Sequence, residues 1–311
     1  MVAGRDCCDA AIPVAVLASA CSALLSRTQS LFAVHLVAVL FGFTGILGEL
    51  ITADALFITW GRAGFAVASL ALFGRVLLNQ PLHTLLGHGR WRVLLSSGVM
   101  LTIHWVTFFV SVKVGGIAIA TLGFASFPAF ITLIEWGLLR EKVTRAEWVR
   151  LWLVSLGLLL ITPSFDLSDV GTEGLLWGLL SGAGFGVLAV LNRRYLFEVN
   201  AFAVAGLQNC IVFLLLSPWV VGSLAPITIN NWFWVSVLGI VCTGLAHLLF
   251  VSSLRQLPAR TAGLVVALEP IYAIAFAWWL FNQVPGPRML LGAAVVILTI
   301  LSASLALQKA R

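Results

Sequence analysis

From residue 31 to residue 307 the chain is a succession of apolar runs separated by short polar loops. We read ten runs of roughly 18–23 residues, the length that carries a helix across about 30 Å of hydrocarbon. Their limits are 31–50, 55–78, 93–112, 116–138, 147–163, 175–195, 201–221, 232–253, 261–281 and 288–307. Only 10% of the residues are charged and 61% are hydrophobic, whereas a soluble domain carries about 25% charged residues. No run alternates polar and apolar residues as a membrane β-strand does. The expected class is an all-α integral membrane bundle. The five cysteines are scattered, with neither metal-ligand spacing nor a paired framework, and no metal or cofactor is expected.

The cations set the topology. Arg5, Arg27, Arg75, Arg90, Arg92, Arg140, Lys142, Arg145, Arg150, Arg193, Arg194, Arg255, Arg260, Lys309 and Arg311 fall on one side of this pattern. The other side has Lys113 and Arg288, and Arg62 lies inside the second run. By the positive-inside rule both termini are cytoplasmic in a cell inner (plasma) membrane, and the loop with Asp166, Asp169 and Glu173 is outside. The net charge of +6 is thus a topology signal, and no nucleic-acid partner is expected. Residues 1–30 are read as an N-terminal extension. Their apolar stretch, 10–25, has about the length of a signal-peptide core, but cleavage or an extra span there would contradict the loop charges.

A shift of 142 residues aligns the two halves of the chain. It carries Ala125-Ser126-Phe127-Pro128 onto Ala267-Leu268-Glu269-Pro270, Glu141 onto Gln283, Trp105 onto His247, and Gly42-Phe43 onto Gly184-Phe185. Around the second and seventh runs about four extra residues are needed, which pairs Arg62 with Gln208. Five runs per half is an odd number, so the second half enters the membrane upside down. The expectation is ten transmembrane helices as two inverted five-helix repeats, 31–163 and 175–307, with a substrate site near the midplane where the halves meet. Pro128 and Pro270 occupy corresponding helices and are expected to act as hinges, since proline removes a backbone donor and bends a helix.

At these residues the chain resembles the EamA branch of the drug/metabolite transporter superfamily. The resemblance rests on Phe127-Pro128, Arg140-Glu141-Lys142-Val143-Thr144, Leu257-Pro258-Ala259, Leu268-Glu269-Pro270 and Gly292-Ala293. It covers about 35–163 and 175–306. Two positions depart from the pattern: Gln283 replaces an expected acid, and Arg150 stands where the other half has Gly292. The resemblance implies a carrier with a central cavity, walled by runs 1, 3, 4, 6, 8 and 9 and parts of 2 and 7. Members mostly export amino acids, related metabolites or toxic compounds.

Ionisable residues inside a membrane are costly, and they point to function by default. Glu269 reads as a cavity carboxylate for a cationic group or a coupling proton, or as a protonated acid bonded to a carbonyl freed near Pro270. Arg62 reads as a contact for a substrate carboxylate, or as one half of a bridge to Glu49 or Asp54. Glu135 is close enough to the cytoplasmic face to be neutralised by Arg140 and Lys142, and Glu141 reads as a cap or loop salt bridge. His104, Trp105 and His247, at matched depth, suit a cavity wall. Gln208, with Asn209 and Asn192, reads as a further polar contact or as a helix tie. Gly42, Gly45 and Gly48, and Gly178, Gly182 and Gly186, form stripes that let helices approach near the axis relating the halves. Trp278 and Trp279 read as interfacial anchors or an outer gate.

No Walker A loop, His-Glu-x-x-His or Gly-x-Ser-x-Gly motif is present, and no paired aspartates lie within the runs. Nor is any filter-like segment present, which argues against a channel. The favoured function is a secondary carrier, outward by preference, of a small polar metabolite such as an amino acid. The alternative is a multidrug or cation efflux carrier of the same fold. The expected partners are a small-molecule substrate and the lipid bilayer, with protons and a second copy of the chain as further candidates.

Overall fold

A computed structural model describes residues 25–77, 90–161, 166, 169–224, 227–266 and 268–309. Most of the N-terminal extension, residues 1–24, lies outside the described residues, as does most of the loop after the second run. Twelve α-helices and no strand occur among the described residues. They are α1 (Arg27–Leu50), α2 (Ala55–Leu77), α3 (Trp91–Phe124), α4 (Phe127–Gly137), α5 (Arg145–Ile161) and α6 (Val170–Tyr195). Then follow α7 (Ala201–Val220), α8 (Ile229–Gly239), α9 (Ala246–Ser253), α10 (Ala259–Val266), α11 (Glu269–Phe281) and α12 (Pro287–Lys309). A π-helical segment, Ile240–Leu245, joins α8 to α9. Among the described residues six helices are long and apolar enough to cross a membrane, the joined Ile229–Ser253 among them, and the protein is a multi-pass membrane protein. Helices suit that solvent because each satisfies its own backbone donors and acceptors.

Local chemistry sets the helix ends. The first helix begins before residue 31 because Ser26 and Gln29 form a reciprocal capping box. Gln29 N donates to Ser26 Oγ at 3.2 Å, and Ser26 N donates to Gln29 Oε1 at 2.8 Å. The fourth and ninth runs, expected as continuous spans, are each broken in two. The 34-residue α3 is non-helical at Gly116 (φ 81, ψ 170), a conformation that glycine reaches without a steric penalty. After the break at Ala125-Ser126, α4 carries Pro128 in its first turn; α11 carries Pro270 in the same place. Each proline therefore starts a helix after a break instead of bending one from within. Its missing N–H falls among donors that a helix start leaves unpaired anyway.

The same local pattern recurs 142 residues on. Arg140 (φ 55) and Asn282 (φ 54) are the non-glycine residues with positive φ among those described. Each is followed by the same bond: Glu141 N to Glu135 O at 2.9 Å, and Gln283 N to Ala277 O at 3.4 Å. Gln283 thus makes its turn without the expected acid, because the bond uses only backbone. Helix pairing follows the same shift. Helix α1 packs on α9, α10 and α11, and α6 packs on α3 and α4, while α2 packs on α7 and α5 on α12.

The glycine stripes join the halves. A Cβ on Gly42 would sit 2.8 Å from Tyr272 Cβ, and one on Gly186 would sit 3.0 Å from Phe130 Cβ. Gly182 would meet Phe124 O at 3.0 Å, and Gly178 would meet Gly123 Cα at 3.1 Å. The α6 stripe and Gly42 lie against the broken run of the other half, whereas Gly45 and Gly48 meet Ile117 and Phe109 of α3 in their own half. Trp278 and Trp279 are 57% and 76% exposed, as anchors at a lipid interface would be.

Candidate substrate site

Where α1, α2, α3 and α11 converge, a small cavity is lined by Phe41, Thr44, Arg62, His104, Trp105, Phe108, Phe124 and Glu269. Its volume open to the centres of water-sized spheres is about 20 Å³. That admits a water or two, since one needs about 10–15 Å³ by this measure, and it excludes a metabolite. Arg62, His104, Trp105 and Glu269, all singled out in the sequence, meet here.

Arg62 lies seven residues into α2, about 10 Å along the axis at 1.5 Å per residue. It is only 2% exposed. Its Nε donates to Thr243 Oγ1 at 2.8 Å. Thr243 is able to accept because its own hydroxyl donates to Leu238 O, five residues back, at 2.7 Å. The guanidinium lies over the ring of Trp105 at 4.1 Å and near that of Phe109 at 5.2 Å. This corrects the expected bridge to Glu49 or Asp54. Asp54 Oδ1 is occupied as a helix cap by Phe57 N at 2.7 Å, and Glu49 faces out, exposed. Arg62 points inward from both.

Glu269 is the first residue of α11, directly after the break, and is 2% exposed. Its Oε2 is buried with no hydrogen-bond partner. Although it shares the cavity with Arg62, the two make no ion pair within 4.0 Å. The ion pairs found among the described residues are Arg90–Glu198 and Arg194–Glu141, at 2.7 and 3.5 Å. The second of these is the loop bridge expected of Glu141. The start of a helix favours negative charge, which suits a carboxylate at this position.

His104 Nδ1 lies 2.7 Å from Ser181 Oγ and 3.2 Å from Ser181 O. Ser181 Oγ spends its proton on His104 O at 3.0 Å. Both neighbours of Nδ1 are therefore acceptors, so Nδ1 carries the proton and Nε2 keeps a free lone pair. The ring stacks on Phe124 at 5.0 Å.

His247 and Gln208 stand behind this cavity instead of lining it. His247 Nε2 pairs with Gln208 Oε1 at 2.9 Å, and Gln208 Nε2 donates to Ser97 Oγ and Asn192 Oδ1, both at 2.7 Å. The carbonyl oxygen of Gln208 only accepts, so His247 is protonated on Nε2. The His247 ring meets the edge of Trp105 at 6.1 Å, which links the two groups. The cavity thus depends on Thr243 and Ser181, hydroxyl residues with no sequence signal. Among the described residues no group of three or more His, Cys, Asp or Glu could hold a metal ion.

The EamA-like transporter family profile matches residues 28–162 and again 172–305. The chain belongs to this family. As an EamA-like protein it is a transporter, not an enzyme. The uncharacterized transporter YwfM of Bacillus subtilis is 24% identical over 283 residues, covering 90% of this chain and 95% of that protein. The pseudopaline exporter CntI of Pseudomonas aeruginosa is 23% identical over 217 residues, covering 68% of this chain and 74% of that protein. A solved crystal structure of a protein superposes with a TM-score of 0.70 at 18% identity, covering 92% of this EamA-like chain and all of the other. At that identity the likeness speaks for the fold alone.

Proposed function

We propose that this protein is a secondary transporter that exports a small polar metabolite, an amino acid or a related compound, through the central cavity. In this reading ten membrane-crossing segments form two inverted halves, 31–163 and 175–307. Both termini are cytoplasmic in the inner (plasma) membrane, and the carrier is a monomer or a homodimer. One observation carries the reading: Arg62 and Glu269 line one small cavity in an apolar bundle without pairing with each other. Buried charges are retained at such a cost mainly where a ligand or ion uses them. A relative named as an exporter supports the outward direction.

The cavity's small volume leaves no room for a metabolite in this conformation. Rocking one half against the other would open it to either side in turn. The glycine-lined contacts of α1 and α6 with the broken helices are the surfaces along which the halves slide. Pro128 and Pro270 sit at the breaks and serve as hinges. Glu269 binds a cationic group or carries a coupling proton, while Arg62, His104 and Trp105 shape the cavity and His247 and Gln208 support it. A cation efflux carrier of the same fold is the second reading, favoured by the aromatic surroundings of Glu269.

Counterflow in proteoliposomes tests the function. Saturable uptake driven by counterflow is expected of the wild type. Glu269→Gln should stay folded but transport less, or lose its pH dependence. Wild-type flux with unchanged pH dependence in Glu269→Gln would remove that residue from the site. Flux that neither saturates nor shows counterflow would mean a channel.

A further inference from the structure

We infer that two clasps secure the two ends of the cavity and release in turn. One is the Lys113 ammonium on the carbonyl of Ile51, and the other is the Arg193 guanidinium on the carbonyls of Leu254 and Arg255. The inference rests on the reading of this cavity as the transport path.

The 142-residue shift carries Ile51 onto Arg193 and Lys113 onto Arg255. One pair of positions is therefore bonded in both halves, with donor and acceptor exchanged. Arg193 Nη1 donates to Leu254 O at 2.9 Å and to Arg255 O at 3.5 Å. Ile51 and Leu254 are the C-caps of α1 and α9. A helix end leaves carbonyls unpaired and carries partial negative charge, which favours a cation there.

Each clasp ties the tip of a hairpin to the first helix of its half. Along α6, Ser181 meets His104 and Gly174 meets Ser111, while Gly178 meets Gly123 and Gly186 meets Phe130. The chain therefore turns back at Gly116, three residues after Lys113. Arg255 stands before the corresponding turn, which ends where α10 begins at Ala259. The two tips lie at opposite ends of the bundle. From Gly174, beside the first tip, α6 runs 19 residues to Arg193, about 29 Å at 1.5 Å per residue. Ser181, bonded to His104 of the cavity wall, lies between them.

Both clasps are internal to one half, so sliding between the halves leaves them made. Opening an end requires its hairpin tip to swing away from α1 or α6, and that breaks the clasp. Space for the swing exists at the Arg193 end. Arg193 and Arg194, with Glu135, Glu141, Pro258 and Ala259, line a second cavity of about 210 Å³ there.

The test is the access of a membrane-impermeant thiol reagent to Thr44→Cys, on the cavity wall, in the full chain with its five cysteines replaced by alanine. A separate chain with Lys142→Cys, next to the Glu141 that pairs with Arg194, identifies which face of sealed vesicles is the Arg193 end. Lys113→Met should speed labelling of Thr44→Cys about tenfold from the face opposite that marker, since a bond from a charged donor is lost. Arg193→Met should do the same from the marker's face alone. Lys113→Arg and Arg193→Lys keep a charged donor and should return labelling toward wild type. A rise that is equal at both faces, or no rise, in either methionine variant overturns the inference. If Thr44→Cys stays unlabelled from both faces in every chain while the vesicles show counterflow, the path lies elsewhere, and the reading of the cavity falls instead.

Discussion

The guanidinium of Arg62 lies 4.1 Å over the indole ring of Trp105, so the buried cation is held by an aromatic face and not by an acid. A desolvated contact of this kind contributes up to about 2 kcal/mol. Trp105→Leu should therefore raise the counterflow KM roughly 5- to 30-fold, while Trp105→Phe should recover much of the loss. An unchanged KM in Trp105→Leu would show that Arg62 needs no such support.

The polar group behind the cavity should behave as a unit. Gln208→Leu strands the His247 N–H and removes the donor to Ser97 and Asn192. Losing one partner of a buried pair costs about 1–3 kcal/mol. Gln208→Leu and His247→Phe, measured singly and together in detergent melts, should be non-additive by about 0.5 kcal/mol or more. Strict additivity would mean that the contact contributes nothing.

Close helix approach predicts strong steric sensitivity at Gly42. Its added Cβ would lie 2.8 Å from Tyr272 Cβ and 3.2 Å from Ala273 N, which is backbone and cannot step aside. Gly42→Leu should destabilise by about 1–3 kcal/mol or more. Gly137→Ala, with nothing within 4 Å of the added Cβ, is the control for steric clash. Thermal melts of the purified variants decide this, and equal melting temperatures would contradict the packing.

Arg140 and Asn282 share left-handed backbone at φ 55 and 54. That conformation costs a β-carbon residue about 1–2 kcal/mol, and asparagine less. Arg140→Gly should stabilise the fold by up to about 1 kcal/mol after the added freedom of the unfolded chain is counted. Asn282→Gly should gain less. A melt that falls in Arg140→Gly would mean that the side chain matters more than the backbone.

Much of the fold was legible in the chain because hydrocarbon imposes one rule. A segment crossing it must satisfy its own backbone, so long apolar runs become helices without knowledge of their neighbours. Arg62 and Glu269 stood out for the same reason, as charges where charges are costly. The 142-residue shift also anticipated features that backbone geometry repeats, such as the paired turns at Arg140 and Asn282. The two broken runs were less legible. Proline marked the places, but the break precedes each proline, and the chain between continues apolar.

Side-chain partnership was decided by tertiary structure. Sequence placed Arg62 within reach of Glu49 and Asp54; the rotation of α2 turned it instead to Trp105 and Thr243. Thr243, Ser181 and the Phe41–Phe108–Phe124 wall carry no signal of their own, because hydroxyls and phenylalanines recur throughout these helices. His247 and Gln208 were found as polar residues, but that they bond to each other behind the cavity depends on how α7 and α9 face. Hydropathy along the chain determines which segments are buried in the bilayer. Which side chains meet inside depends on how each helix is turned about its axis and where it breaks, and those are properties of packing among distant segments.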